Sequence, residues 1–294
     1  MLNRELLAKI RKLEIRTRRM VDQLTGGAYR SVFKGRGIEF SEVREYIPGD
    51  DVRDIDWNVT ARSGTAHIKK YSEERELSVI LAVDISRSGF FGTAGVEKRT
   101  RMAEVAALLA LSAVRNHDKA GLLLFSDRTE LYLPPRSGRT HVLRLVRELL
   151  AAEPQGRGTD LPGAVTSLNH SLKKRSVVFL ISDFAAPVNY EKELKMLSRR
   201  HDTILIRVTD PLEHTFPAGL PGLVLTDAEN GRSLTFSIRR KADKVNAVFA
   251  ADTGKVNDLA RRAKTDLIDL STADADPVLP LMAFFHRRRE GGSR

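Results

Sequence analysis

The run Leu77 to Val83, LSVILAV, constrains the chain more than any other feature. It offers no polar face and is rich in β-branched residues. A strand of this kind is buried on both sides, as in the interior of a parallel sheet covered by helices. Gly121 to Phe125 and Ser176 to Ile181 repeat the pattern, and Thr203 to Val208 and Thr265 to Leu270 follow as further strands. Glu130 to Leu133 reads as a short strand paired near the second. Helical spacing of apolar residues fills the gaps at 97–116, 139–152, 161–172, 190–200 and 241–263, with a terminal helix over about 277–288. The helix at 161 has Thr159 or Asp160 as its cap. This alternation predicts an α/β fold with a doubly wound, mostly parallel, Rossmann-like sheet. One interruption, at about 211–240, holds the β-runs Leu223 to Thr226 and Ser233 to Ile238. They are joined through Asn230-Gly231, the signal of a β-hairpin insert.

Upstream of the first strand the pattern is different. Residues 2–24 carry imperfect helical spacing that stops at Gly26-Gly27, and 28–76 read as an irregular β-rich segment with short pieces at 37–40 and 66–69. The chain therefore divides into residues 1–76, a helix and β-rich segment packing on the main domain, and 77–294, the α/β domain with its hairpin insert. The absence of cysteine excludes disulfides, zinc–thiolate sites and cysteine nucleophiles. The charged N-terminal sequence has no apolar core of a signal peptide. The longest strongly apolar helical stretch, Val105 to Val114, is far short of the roughly 20 residues that span a bilayer. A soluble, cytoplasmic protein is the expectation.

In open α/β sheets ligands sit beyond the carboxyl ends of the strands, where strand order reverses. The polar residues there are Asp84, Ser86 and Ser88 after the first strand, and Ser182 and Asp183 after the strand at 176–181. Between them Thr159 and Asp160 lie on a loop entering a helix. The set offers carboxylates and hydroxyls only, which suit a hard divalent cation, Mg²⁺ first, with Mn²⁺ or Ca²⁺ as alternatives. Taken singly, each residue is equally well explained as a helix cap or turn acceptor. The case for a site rests on all three loops opening at one edge.

The series Asp84, Ser86, Ser88, Thr159 and Asp183 resembles the metal-ion-dependent adhesion site of von Willebrand factor type A domains. That resemblance implies that Ser86 and Ser88 are direct ligands and Thr159 a ligand in some states. It also implies that Asp84 and Asp183 act directly or through water, and that a partner's carboxylate completes the coordination. Asp160 is read as a helix cap that also orients a ligand. A second resemblance is carried by the run from Phe40 to Trp57, with Arg44, Tyr46, Pro48, Gly49, Asp50, Arg53, Asp56 and Trp57, extended by Ala61-Arg62 and Lys69 to Glu74. It is similar to the signature of the bacterial domain-of-unknown-function 58 family. This implies a partnership with a MoxR-type AAA+ ATPase and an unknown client protein, in a chaperone-like or complex-maturation system. Physically, the same segment reads as an ion-pair network with Trp57 as its apolar anchor, and alternatively as a partner-binding surface.

Enzyme readings are weaker. A Mg²⁺-dependent phosphohydrolase of the haloacid dehalogenase type needs a carboxylate two residues after Asp84, and Ser86 stands there. The chain has no P-loop, G-x-S-x-G or H-E-x-x-H motif, and its seven histidines are scattered. A non-enzymatic protein-binding module is the expectation. The net charge of +11 keeps open a nucleic-acid or anionic-surface binder. Its basic residues would be Arg4, Lys9, Arg11, Lys12, Arg16, Arg18 and Arg19 at one end and Arg287, Arg288, Arg289 and Arg294 at the other.

Overall fold

The computed structural model describes residues 39–72, 76–156, 158–214, 223–226, 233–236 and 242–290. The helix expected at 2–24, its basic residues, Arg294 and the Asn230-Gly231 turn lie outside the described residues. Two compact units are present, one within Phe33–Leu77 and one within Ser78–Arg294.

In the smaller unit, β1 (Glu39–Glu45) pairs antiparallel with β2 (His67–Ser72) through a register shift between Phe40 and Glu42. Between the strands lies a helix that the sequence pattern did not announce, α1 (Trp57–Ser63). The Asp56 carboxylate caps it by accepting from Asn58 N and Val59 N, and Gly64 ends it in the left-handed conformation. The expected role of Trp57 is corrected here. Trp57 is 70% exposed at the first helical position, and Ile68, 6% exposed, is the buried apolar residue instead. The charges are also used differently from a plain network. Arg44 grips Asp50 through two bonds of 2.7 and 2.9 Å, while Asp51 and Asp56 accept from backbone amides. Tyr46, Pro48 and Gly49 form the connection in which Asp50 accepts from Ile47 N at 2.9 Å.

The larger unit is the predicted α/β domain. Its strands are β3 (Ser78–Asp84), β4 (Lys119–Phe125), β5 (Thr129–Arg136), β6 (Val177–Ser182), β7 (Asp202–Thr209) and β10 (Asp266–Ser271). Their order across the sheet is β10-β7-β6-β3-β4-β5. All neighbours are parallel except the β4–β5 pair. The hairpin insert is β8 (Leu223–Thr226) paired antiparallel with β9 (Ser233–Phe236). Bounds agree with expectation to within about two residues, except that β5 continues past Leu133 to Arg136. The β4–β5 register shifts opposite Pro134-Pro135. Gly121 is needed there, because a Cβ at 121 would lie 3.0 Å from Leu133 O, Pro135 N and the Ile80 side chain.

The helices are α2 (Lys98–Arg115), α3 (Arg139–Ala151), α4 (Leu161–Ser171), α5 (Glu191–Arg200), α6 (Ala242–Ala263) and α7 (Val278–Glu290). One face of the sheet, with Ile80, Ala82, Leu123 and Val178, forms a single core with α4, α5 and α6. α2 lies against β3, β4, β6 and β7 and against α3. It is buried nearly all round, and Ala106, Ala107, Ala110 and Ala113 let the neighbouring elements approach closely. Each fully buried Leu or Ile in these layers contributes roughly 1.5–3 kcal/mol. In α7, Arg288 holds the Asp202 carboxylate with bonds of 2.7 Å, so this basic residue already serves the domain internally. Among the described residues no helix is long and apolar enough to cross a membrane.

His201, between α5 and β7, is 3% exposed, and neither ring nitrogen has a hydrogen-bond partner. Burial first, then the charges of Arg200 and Arg175, brings its pKa down to about 4. The unfolded value is near 6.5, so protonation favours the unfolded chain. Stability is therefore full above pH 6.5 and falls by up to about 3 kcal/mol as pH drops towards 4. Urea unfolding of wild type and His201→Leu across this range should show a flatter profile in the variant; equal slopes would assign the loss to other groups.

Candidate metal site

β3 sits between β4 and β6: the chain passes from β3 to β4 on one side and comes later to β6 on the other, so strand order reverses beside β3. The loops after β3 and β6 lie at this edge, the usual ligand position in such sheets. Asp84, the last residue of β3, is 3% exposed. Its Oδ1 accepts from Ser86 N at 2.8 Å and its Oδ2 from the Ser182 hydroxyl at 2.6 Å. The Ser182 oxygen also accepts from Phe184 N at 3.0 Å. Ser182 thus ties the loop after β3 to the turn after β6. In that turn Phe184 has φ 54°, a conformation uncommon outside glycine, and it is held by its buried ring and the Ser182 bond.

The two serines of the first loop converge. Arg87 points out to solvent, whereas Ser86 is 1% exposed and Ser88 half-buried, with their hydroxyl oxygens 3.1 Å apart. Adjacent ligands of an octahedral ion with bonds of about 2.1 Å lie about 3 Å apart. The pair therefore has the separation of two such ligands before any ion is added. Asp183 joins the group: its Oδ1 accepts from Ala185 N at 3.1 Å, and the nearby Ser88 hydroxyl helps to lower its carboxyl. Asp84, Ser86, Ser88 and Asp183 thus lie together at this edge of the sheet.

Thr159 and Asp160 reach the same edge on a neighbouring loop. Asp160 N donates to Ser126 O, just past β4, at 2.8 Å, and Asp160 Oδ1 accepts from Gly163 N at 2.9 Å. Asp160, not Thr159, is the cap of α4. Thr159, half-buried, precedes it. The loop is strapped down by Glu130, whose Oε1 accepts from Gln155 N and Gly156 N at 3.0 Å and from Ser126 Oγ at 2.6 Å. Gly156 is required by this close approach: a Cβ there would stand 2.1 Å from Asp127 Oδ1 and 2.5 Å from Ser126 Oγ.

Sequence reasoning missed a set of partners around these residues. Lys98, the first residue of α2, has its side chain 2% exposed and donates to Asp183 Oδ2 at 2.7 Å and to Glu213 Oε1 at 2.5 Å. Glu213 Oε2 in turn accepts from Asp210 N at 2.9 Å. Asp210, fully buried, accepts from Thr93 N at 2.8 Å, from the Thr93 hydroxyl, and from Thr272 Oγ1 at 2.6 Å. These bonds fasten together the loops after β3, β7 and β10. The available signal was positional: Lys98 opens the helix that follows the Asp84 loop, and Asp210 and Glu213 follow β7 directly.

The electrostatics are uneven. Burial, and next the charge of Asp183, pushes the Asp84 carboxyl up to about 7, against hydrogen bonds from Ser182 and Ser86. Burial also acts to raise Asp183, but the Lys98 ammonium, together with Ser88 and Ala185 N, more than offsets it and holds that carboxyl below its ordinary value. A cation beside Asp84 would relieve the strain of its ionised form. Among the described residues no three of His, Cys, Asp or Glu are placed to share an ion, so a metal here would rest on two carboxylates supplemented by hydroxyls. Such an oxygen-only donor set fits Mg²⁺ or Mn²⁺ with water or a partner group in the remaining positions.

Strand order and these loops together define a doubly wound α/β domain with a cluster of buried oxygen atoms at the carboxyl edge of its central strand. The chain belongs to the family described as Protein of unknown function DUF58, whose match covers residues 42–256. It is 33% identical over 290 residues to the uncharacterized protein Rv1480 of Mycobacterium tuberculosis, covering 98% of this chain and 91% of that one. The uncharacterized protein Mb1516 of Mycobacterium bovis matches to the same extent, 33% over 290 residues with 98% and 91% covered. Solved structures with partial likeness include BatB from Bacteroides thetaiotaomicron, at TM-score 0.47 and 13% identity, covering 73% of this chain and 99% of that one. An aerotolerance-related membrane protein from Bacteroides fragilis gives TM-score 0.49 and 14% identity, covering 74% and 100%. The SpRpn10 VWA domain gives TM-score 0.41 and 11% identity, covering 71% and 94%.

Ser182→Ala removes the donor to Asp84 and the acceptor for Phe184 N, both buried. Its expected cost is about 1–3 kcal/mol in urea unfolding. A cost below about 0.5 kcal/mol would mean that this bridge does not hold the two loops.

Proposed function

We propose that the chain is a non-enzymatic, metal-dependent protein-binding module that works with a MoxR-type AAA+ ATPase and recruits a client protein. The observation that carries this reading is the 3.1 Å convergence of Ser86 and Ser88 hydroxyls beside the buried Asp84. Ser86 and Ser88 hold the ion directly, Asp84 and Asp183 directly or through water, and Thr159 approaches from the α4 loop. The bound ion, Mg²⁺ in the first instance, supplies a Lewis-acidic position for a carboxylate of the partner. The absence of catalytic activity is supported by the occupation of both Asp84 oxygens by Ser86 N and Ser182 Oγ. It is also supported by Ser86 standing where a hydrolase would need its acid.

The ATPase is assigned to a different surface. Ile47, Val52 and Trp57 of the smaller unit are 58, 61 and 70% exposed, which is uncommon for large apolar side chains and typical of binding surfaces. All lie within the family signature segment.

A pull-down with and without EDTA, comparing wild type with Asp84→Ala and the milder Asp84→Asn, tests the first part. The expected result is loss of the same client proteins on chelation and in both variants, with unchanged melting behaviour for Asp84→Asn. An identical bound set throughout ends the metal-dependent reading. For the second part, Trp57→Ala should weaken capture of the purified ATPase by about tenfold or more, as a central aromatic anchor does. It should leave the affinity for Mn²⁺ unchanged; undiminished ATPase capture removes this surface from the model of assembly.

A further inference from the structure

The lysine that opens α2 has no part in the reading above, and its placement is unusual. Lysine is almost never fully buried unless paired, and here its ammonium is closed in between Asp183 and Glu213. Its backbone N is fixed to Phe91 O at 2.9 Å, and Nζ stands 5.8 Å from the centre of the Phe91 ring. We propose that Lys98 is an internal counter-cation of the metal site: its ammonium competes with the divalent ion for Asp183, sets the affinity for that ion, and stands in for it when it leaves. This rests on the metal-site reading above.

Three observations support it. First, the carboxylate that Lys98 holds, Asp183, is one of the site's own, and its other oxygen already serves Ala185 N. A divalent ion drawing on Asp183 shares that carboxylate with the ammonium or displaces it. Second, the ammonium has a second place to go. Glu213 holds it at 2.5 Å and is itself anchored through Asp210 N. Giving up Asp183 therefore leaves Lys98 paired, and no unpaired charge is buried in the exchange. Third, the lysine and the serine loop belong to one stretch of chain. Lys98 follows the turn Arg87–Phe90, and Thr93 between them is bonded to Asp210. The position of the ammonium is thus fixed relative to Ser86 and Ser88.

The consequence runs against intuition for a buried ion pair. Removing the positive charge leaves Asp183 free and takes away repulsion towards the ion, so affinity rises. Removing the fallback carboxylate leaves Lys98 with Asp183 alone, so affinity falls. A purely structural role, in which the lysine and Glu213 hold the loops in shape, moves both variants the same way.

The test is titration of Mn²⁺ into purified full-length protein by calorimetry, with melting temperature in EDTA and in excess Mn²⁺ as a second readout. Lys98→Met keeps the unbranched length and loses the charge. It should bind Mn²⁺ at least about tenfold tighter than wild type. It should melt below wild type in EDTA and gain more from the metal. Glu213→Gln should bind severalfold more weakly. Equal or weaker binding by Lys98→Met overturns the proposal. If that variant fails to fold, unchanged or tighter binding by Glu213→Gln overturns it. If wild type itself binds no Mn²⁺, the metal-site reading fails and this proposal falls with it. If wild type binds and Asp84→Ala does not, but the lysine variant does not tighten, only this proposal falls.

Discussion

The structure depends on β3 being hydrogen-bonded on both sides, to β4 and to β6, with both faces covered. An interior strand of this kind has no choice of register or direction once its apolar residues are buried. Its last residue, Asp84, is therefore carried to the sheet edge in a fixed orientation and under the same burial. Because the chain leaves β3 for one neighbour and later returns on the other side, two loops end beside that carboxylate. The oxygen donors gather there as a result of strand order, with few specific contacts required between the segments that bear them.

Burial gives these groups their chemistry and also their cost. Exclusion of water, and next the charge of Asp183, push the Asp84 carboxyl upward. Asp183 is kept ionised by Lys98. Two neighbouring carboxylates are thus pushed in opposite directions by their surroundings. Breaking a buried pair such as Lys98–Asp183 typically costs 3–5 kcal/mol, whereas the net gain from having it is small. The net contribution of the pair to folding is therefore small.

Much of this was legible in the sequence, for identifiable reasons. Buried strands and amphipathic helices announce themselves by period, so the sheet and the positions just past its strands could be read. Asp84, Ser86, Ser88 and Asp183 followed from that. Lys98, Asp210 and Glu213 did not, because their bonds join residues 85, 117 and 115 apart in the chain. Nothing local to a lysine at a helix start distinguishes a buried one from an exposed one. Ser182 was visible as a polar strand end, but its role as a bridge required the spatial adjacency of Asp84. In the smaller unit, Trp57 is not the buried anchor of an ion-pair network but stands exposed. Its position was decided by the Asp56 cap, which starts a short helix and leaves Trp57 on its outer side.

The outer strand β5 has a consequence beyond the site. A sheet that is parallel and apolar inside is prone to recruit further strands at any open margin. β5 ends in Pro134-Pro135, where the ladder to β4 is already irregular. Neither proline has an amide hydrogen to offer a newcomer. At the opposite margin, β10 presents Asp266 and Asp269. Both features oppose the pairing of a further strand with these two outer strands.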